Sequence, residues 1–277
     1  MATAAQETLA AVDQLFPEAL GEDDDDGTDD TLASALARPP WLAVPASKTG
    51  YVESLDADAL LDIARTLETV LRMEHGVGDF VVAGTPLVSL LDPGDLDEAT
   101  TARLNAVYVI GRQRTVEQDV AFGIRQIVDV AMKALSPGIN DTTTAVMCVD
   151  YLAAIMTKLT TRRIANPYRV DQGALRVIAR GPSFGDLLGE AFDQIRQNAE
   201  YNVAILLRLL GALQTIAGQT ASSNRRWLIQ QKVDEIAETA ERGIASPHDR
   251  DRLANRLIRV REALLADPVS FVRTNHN

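Results

Sequence analysis

The sequence predicts an α+β fold that is mainly helical, with a small β-containing unit ahead of a helical bundle. Two observations predict it: apolar residues recur at helical spacing over most of the chain after Asp95, and short β-prone segments alternate with turn residues before it. With 277 residues, 46% of them hydrophobic, the chain can bury a large core. The expected divisions are 1–40, 41–94 and 95–277.

The first 40 residues are expected to hold one helix and a linker. Residues 4–16 place Leu9, Val12, Leu15 and Phe16 at helical spacing, and Pro17 ends the pattern. From Glu18 to Asp30 there are eight acidic residues and no basic one, including Glu22–Asp30. Such a run repels itself, so we expect a disordered linker. The ligand spacing of an EF-hand calcium loop is missing.

Residues 41–94 predict short strands around one helix. "WLAVPA" and "GYVESL" are β-prone, and "DADALLDIARTLETVL" predicts a helix capped by Asp56 or Asp58. Two more strands follow, in "GDFVVAGTPLVSL". This segment resembles half of a biotinyl/lipoyl-like barrel. Carrier domains of that kind present a lysine at a hairpin tip, whereas the nearest lysine here, Lys48, precedes the strand pair, so no carrier function is expected.

The remainder predicts a helical domain with one short strand near 174–180, "ALRVIAR". Thr115 and Gln118 are spaced as in a capping box at the start of the helix 115–135. Ser183 can cap the helix 184–200, and Ser246 or Asp249 can cap the last helix. The predicted helices are 96–110, 115–135, 141–162, 184–200, 202–218, 224–243 and 248–265.

The helix at 202–218 is the most apolar of these. Its leucines cover more than one face, which predicts a position in the centre of the bundle or at a subunit interface. Arg208 interrupts it, so it is not expected to span a bilayer, and the chain as given is expected to be soluble. The apolar surface on more than one face predicts a homo-oligomer. The candidate interface residues are Leu206, Leu207 and Leu210.

The segment from Arg112 to Thr144 contains the candidate site. Arg125 and Asp129 are four residues apart and can pair on one helix face. Pro137 must end that helix, Gly138 permits a positive φ, and Asn140 or Asp141 can cap the next helix, whose free N–H groups could bind an anion. A helix–turn–helix corner is the structural alternative. The candidate ligand-binding residues are Arg112, Arg114, Gln118, Asp119, Arg125, Asp129, Ser136, Asn140 and Asp141.

Composition and motifs exclude several function classes. The net charge of -12 argues against nucleic-acid binding and against docking on an anionic membrane surface. Cys148 lies among apolar residues and is read as a buried structural thiol, and the three histidines lack zinc-binding spacing. No metal or cofactor is expected. An enzyme is disfavoured because no catalytic motif is present, and a hydrolase using Asp119, Asp129 or Asp141 is the weakest hypothesis.

The stretch "GRQRTVEQDVAFGIRQIVDVAMKALSPGINDTTTAVMCVDYL" resembles the signature of a bacterial family of predicted membrane proteins, domain of unknown function 2254. "ETLAAVDQLFPEALGE" and "GYVESLD" with "GDFVVAGTPL" also match its soluble part. Members carry several N-terminal transmembrane helices that are not in this sequence, so the resemblance implies an excised soluble domain or a variant without them. It also implies the cytoplasmic side of the inner membrane.

The resemblance implies no reaction, because the family has no established one. The expected function is that of a non-catalytic cytoplasmic domain acting in assembly, gating or sensing. The alternative is a sensor of a small molecule or anion, such as a phosphate or carboxylate, bound near Arg112, Arg114 and Asn140.

Overall fold

The computed structural model describes residues 1–17 and 40–266. They belong to two compact units. Of the described residues, the helical unit comprises 1–17, 123–164 and 183–266, and the β unit comprises 40–122 and 165–182. The acidic run Glu22–Asp30, for which the sequence predicts disorder, lies outside the described residues.

The order of elements confirms a mixed α+β fold that is mainly helical. The described helices are α1 (Ala2–Leu15), α2 (Ala57–Thr66), α3 (Glu98–Ala106), α4 (Val120–Leu135), α5 (Thr142–Leu159), α6 (Phe184–Asn198), α7 (Val203–Ala217), α8 (Ser223–Gly243) and α9 (Pro247–Leu265). The described strands are β1 (Trp41–Pro45), β2 (Gly50–Leu55), β3 (Leu71–Met73), β4 (Phe80–Val81), β5 (Pro86–Leu91), β6 (Tyr108–Gly111), β7 (Tyr168–Asp171) and β8 (Ala174–Ile178).

Helix α7 is the centre of the helical unit. It packs against α5, α8 and α9, and α1 packs against α5. A helix with apolar residues on more than one face requires several neighbours to cover it, and α7 has them. Its fully buried side chains are Ile205, Leu206, Leu209, Leu210, Leu213, Ile216 and Ala217.

Serine and asparagine caps fix where several helices begin. The Ser183 hydroxyl accepts a hydrogen bond from the Asp186 N–H, and the Asp186 carboxylate accepts one from the Ser183 N–H, which completes a capping box for α6. Asn202 caps α7 and Ser246 caps α9. The caps predicted at Ser183 and Ser246 are thus confirmed.

The β unit contains two open sheets. A five-stranded sheet has the order β1-β5-β3-β8-β7, and a three-stranded sheet has the order β4-β2-β6. Strand β8 pairs in parallel with β3, and the other pairs are antiparallel. Leu71, Val88 and Leu90 of the larger sheet join Val52 and α2 in one buried cluster.

The resemblance to half of a biotinyl/lipoyl-like barrel is not supported. The two strands of "GDFVVAGTPLVSL" do not belong to the same sheet, because β4 pairs with β2 and β5 pairs with β1 and β3. The sequence predicts the strands correctly, but their partners lie elsewhere in the chain.

Two predicted helices also differ from the structure. The helix expected at 96–110 ends at Ala106, and its last residues form β6, where β-prone Tyr108 and Ile110 pair with β2. The helix expected from 115 begins at Val120, so the Thr115–Gln118 capping box does not form. The β unit therefore extends beyond residue 94 and also includes the later hairpin β7–β8. Among the described helices, none is long and apolar enough to cross a membrane.

Candidate functional site

Asp119 is a buried carboxylate whose acceptor positions are already engaged. It is 5% exposed and accepts hydrogen bonds from Arg114 Nε at 2.8 Å and Arg114 Nη2 at 3.0 Å. It also accepts one from the Phe122 N–H at 2.9 Å, so that Asp119, not Thr115, caps α4. The Arg114 guanidinium lies 5.1 Å from the centre of the Phe122 ring. This bidentate pair orients both side chains.

The turn before β4 fits closely against this ion pair. Gly78 has a φ of 90°, and a Cβ there would lie 2.5 Å from Asp119 Oδ2 and 2.9 Å from Arg114 Nη2. Only glycine allows both that backbone conformation and that approach. The Gln118 Oε1 accepts a hydrogen bond from the Leu55 N–H at the end of β2, at 3.1 Å. We name Arg114, Gln118 and Asp119 the clasp, because they join β2 and the turn at Gly78 to the start of α4.

Arg112 differs from the clasp. Its side chain is exposed, and it forms no ion pair with any residue that the structure describes. It and the clasp belong to the β unit, whereas Arg125 and the residues after it belong to the helical unit. The nine candidate residues therefore fall into two sets, one in each unit.

In the helical unit, Arg125 forms the predicted pair with Asp129. Its Nε lies 2.9 Å from Asp129 Oδ1, and its Nη1 lies 3.4 Å from Glu190 Oε1 on α6. The Asp129 side chain is 60% exposed. Exposed pairs of this kind contribute little to stability, so this set links α4 to α6 weakly.

The segment between α4 and α5 is a hydrogen-bonded corner. The Ser136 hydroxyl donates to the Lys133 carbonyl at 2.7 Å, the Asn140 N–H to the Ser136 carbonyl at 2.9 Å, and the Asp141 N–H to the Ala134 carbonyl at 2.8 Å. The positive φ occurs at Asn140, with a value of 47°, and not at Gly138. Asparagine tolerates this conformation better than most residues.

Asp141 caps α5 with its own carboxylate. It accepts hydrogen bonds from the Thr144 hydroxyl at 2.6 Å and from the Thr144 N–H at 3.0 Å. The hydroxyl and then the N–H of Thr144 hold the pKa of Asp141 below its ordinary value. An external anion would have to compete with this carboxylate for the helix start. The corner is therefore assembled as a structural connection.

Changing Asp141 to asparagine should reveal the contribution of this charge. Because the folded pKa is lowered, the carboxylate binds fewer protons in the folded than in the unfolded state, and its stabilisation is present above the unfolded pKa, about 3.9. It is lost as the pH falls through the folded value. We expect Asp141→Asn to lower the melting temperature at pH 7 and to match wild type well below pH ~3.9. Asp129→Asn, on an exposed side chain, is the control. A difference that does not change with pH would contradict this role.

The groups needed for a hydrolase are not gathered together. Among residues 1–17 and 40–266 there is no group of three or more His, Cys, Asp or Glu that could hold a metal ion. Asp119, Asp129 and Asp141 each have the separate partners described above. Cys148 is fully buried, and burial raises its pKa to about 11, so that the thiol is protonated at neutral pH.

The structure also shows a groove that the sequence points to only in part. Leu206 and Leu210 are covered by the chain's own helices, whereas Leu207 is partly exposed and lines this groove. We name this groove the outer groove, and its volume is about 910 Å³. Its lining residues are Val146, Asp150, Ala153, Ala154 and Thr157 of α5, Ala204, Leu207, Arg208, Gly211, Ala212 and Thr215 of α7, and Arg252 and Arg256 of α9.

One sequence signal for the outer groove was available. Helix α5 buries one face, yet the side that lines the groove also carries apolar residues, Val146, Ala153 and Ala154. Two adjacent helices with apolar residues on both faces, α5 and α7, indicate a second contact surface. The pairing of α5 with α7 could not be read from either helix alone.

Comparisons with known proteins confirm the family that the stretch "GRQRTVEQDVAFGIRQIVDVAMKALSPGINDTTTAVMCVDYL" resembles. The family model described as "Predicted membrane protein (DUF2254)" matches residues 1–215. The uncharacterized proteins Rv1290c of Mycobacterium tuberculosis and Mb1321c of Mycobacterium bovis are each 31% identical to this chain over 264 residues, 93% of it. The aligned region is 49% of each relative, so the chain spans about half of their length. No solved structure was found to match. The chain belongs to the family of predicted membrane proteins DUF2254.

Proposed function

We propose that this chain is a non-catalytic assembly domain of its membrane-protein family, and that it forms a homo-oligomer through the outer groove. The supporting observation is that Leu207, between α5 and α9, remains partly exposed in a concave, largely apolar surface. A groove between helices can receive the side-chain ridge of a partner helix. The corner fits the same role, because Asp141 caps α5, which lines one side of the outer groove.

In this proposal the domain lies on the cytoplasmic side of the membrane. The support is the family membership, because members of such families orient by the basic residues that flank their transmembrane helices. Sensing or gating would then act through changes in the assembly.

A polar substitution in the outer groove tests the assembly. We expect the wild-type chain to form a defined oligomer at micromolar concentration and Leu207→Glu to be a monomer, because the carboxylate would be buried without a partner. Light scattering coupled to size-exclusion chromatography measures both masses. The matched control is Trp227→Glu, which changes a 58% exposed side chain outside the groove and should leave the mass unchanged. A monomeric wild type would overturn the proposal.

Anion sensing is the second candidate. Its supporting observation is Arg112, which is exposed and has no ion pair within the described part of the chain. Arginine suits phosphate and carboxylate ligands. A thermal-shift titration with inorganic phosphate and phosphorylated metabolites, on wild type and Arg112→Ala, tests it. A ligand that stabilises both chains equally would not bind at Arg112.

A further inference from the structure

The outer groove carries more positive charge than its own chain neutralises. Its lining residues include three arginines and one carboxylate, which give it a net charge of +2 on a chain whose net charge is -12. The carboxylate, Asp150, is paired with Arg208 of α7. Arg252 of α9 is paired with Asp249 of the same helix, with a distance of 3.0 Å between Nη1 and Oδ1. The third arginine, Arg256, has no such partner in the described part of the chain.

Arg256 is a partly buried charge without a counter-charge. It forms no ion pair and no hydrogen bond with residues 1–17 or 40–266. Its guanidinium lies over the floor of the groove, because a Cβ at Gly211 would be 2.7 Å from Arg256 Nη2. An arginine does not lose its proton in proteins, and burying an unpaired charge is unfavourable. The groove therefore favours an anion beside this guanidinium.

The other two arginines have unused donors near the same point. Arg252 precedes Arg256 by four residues, so both side chains project from one face of α9. Arg208 precedes Gly211 by three residues and lies on the same face of α7. In their ion pairs, Arg208 donates through Nε alone and Arg252 through Nη1 alone. Their remaining N–H groups form no hydrogen bond within the described ranges, so they are available to a ligand.

The charge of the lining indicates which anion fits. A phosphate monoester carries a charge of about −1.5 to −2 at pH 7, which matches the +2 of the lining, whereas a carboxylate carries a single charge. The planar guanidinium also donates two parallel N–H groups to phosphate oxygens. Thr157 of α5 adds a polar group to the lining, because its buried Oγ1 has no hydrogen-bond partner in the part of the chain that the structure describes.

The rest of the groove is mostly apolar. Val146, Ala153 and Ala154 line it from α5, and Leu207 and Ala212 line it from α7. Its volume of about 910 Å³ is in the range of pockets that hold a small organic molecule. A single phosphate group would leave these apolar residues uncovered. The ligand that fits therefore has a phosphate group and an apolar body.

We infer that the outer groove binds a small phosphate monoester with an apolar body. Arg256 is the main contact of the phosphate, Arg208 and Arg252 donate to its other oxygens, and the side chains around Leu207 cover the body. All of these residues belong to one copy of the chain, so this site does not depend on the proposed assembly. A bound ester and a second copy would compete for the groove, and the two proposals are therefore tested by different measurements.

Hexyl phosphate is the probe for this site, and inorganic phosphate is its comparison. In isothermal titration calorimetry on the full chain, we expect hexyl phosphate to bind at least tenfold more tightly, because burial of about two methylene groups has that effect. Arg256→Gln should weaken hexyl phosphate binding at least tenfold, since a charge-assisted contact is lost. The matched control is Arg259→Gln, which removes the same charge from an exposed side chain of α9 outside the groove and should bind like wild type. Circular dichroism confirms that both variants are folded.

The contrary results each overturn a defined part of the inference. Equal weakening by Arg256→Gln and Arg259→Gln would show attraction to net charge alone and no site at Arg256. Equal affinities for the two phosphates would overturn the apolar part and leave a site for free phosphate. No heat of binding for either probe at millimolar concentration would overturn the site altogether. None of these results depends on the mass of the wild-type chain, which tests the assembly.

Discussion

Replacing Asp119 with alanine should lower the free energy of unfolding by about 3 kcal/mol, because one partner of a largely buried ion pair is removed while the other remains. Asp119 is 5% exposed and is bonded to two nitrogens of Arg114 and to the Phe122 N–H. The substitution leaves the guanidinium beside Gly78 without its carboxylate and leaves α4 without its cap. Denaturant titration followed by circular dichroism measures the change.

The control for this substitution is Asp129→Ala on the same helix. Its side chain is 60% exposed, so the loss of its pair with Arg125 should cost less than about 1 kcal/mol. If the two variants were equally stable, the clasp would not be a source of stability. Asp119 would then have to be tested as a functional residue.

Two adjacent leucines of α7 should respond very differently to truncation. Leu206→Ala should cost about 3 kcal/mol, because it opens a cavity in a core that covers the side chain completely. Leu207→Ala should cost less than about 1 kcal/mol in the free chain, since its side chain is partly exposed in the outer groove. Thermal and denaturant unfolding of a dilute sample compare the two.

This comparison also separates the core from the contact surface. Leu207→Ala should weaken self-association while leaving the fold intact, whereas Leu206→Ala should weaken the fold itself. Equal destabilisation by both substitutions would mean that Leu207 is part of the core, and the outer groove would lose its main apolar contact.

The sequence predicts the helical elements more accurately than the sheets. Helices α5 to α9 lie within three residues of the predicted ranges, because apolar periodicity and serine or aspartate caps are local signals. The pairing of β3 with β8 joins Leu71 to Val177, residues that lie far apart in the chain. No local pattern indicates such a pair. The barrel resemblance was mistaken for the same reason, because the strand partners of that segment lie elsewhere in the chain.

In the candidate site, too, the sequence predicts the features that depend on neighbouring residues and misses those that depend on distant contacts. The sequence identifies Arg114, Gln118, Asp119 and Asp141 as unusual polar residues in one stretch, and the pairing of Arg125 with Asp129 follows from their spacing. It does not show that Asp119 is buried against Gly78, because that contact joins distant parts of the chain. Nor does it show that Asn140, rather than Gly138, adopts the positive φ.

The sequence by itself determined helices α5 to α9, the caps at Asp141, Ser183 and Ser246, and the excess of apolar surface on α7, since these depend on neighbours within a few residues. The tertiary structure decided how that surface is used. Leu206 and Leu210 face the chain's own helices and Leu207 faces the outer groove, because the packing of α5, α8 and α9 around α7 chooses which faces are covered. That choice depends on contacts between helices distant in the chain, and periodicity within one helix cannot specify it.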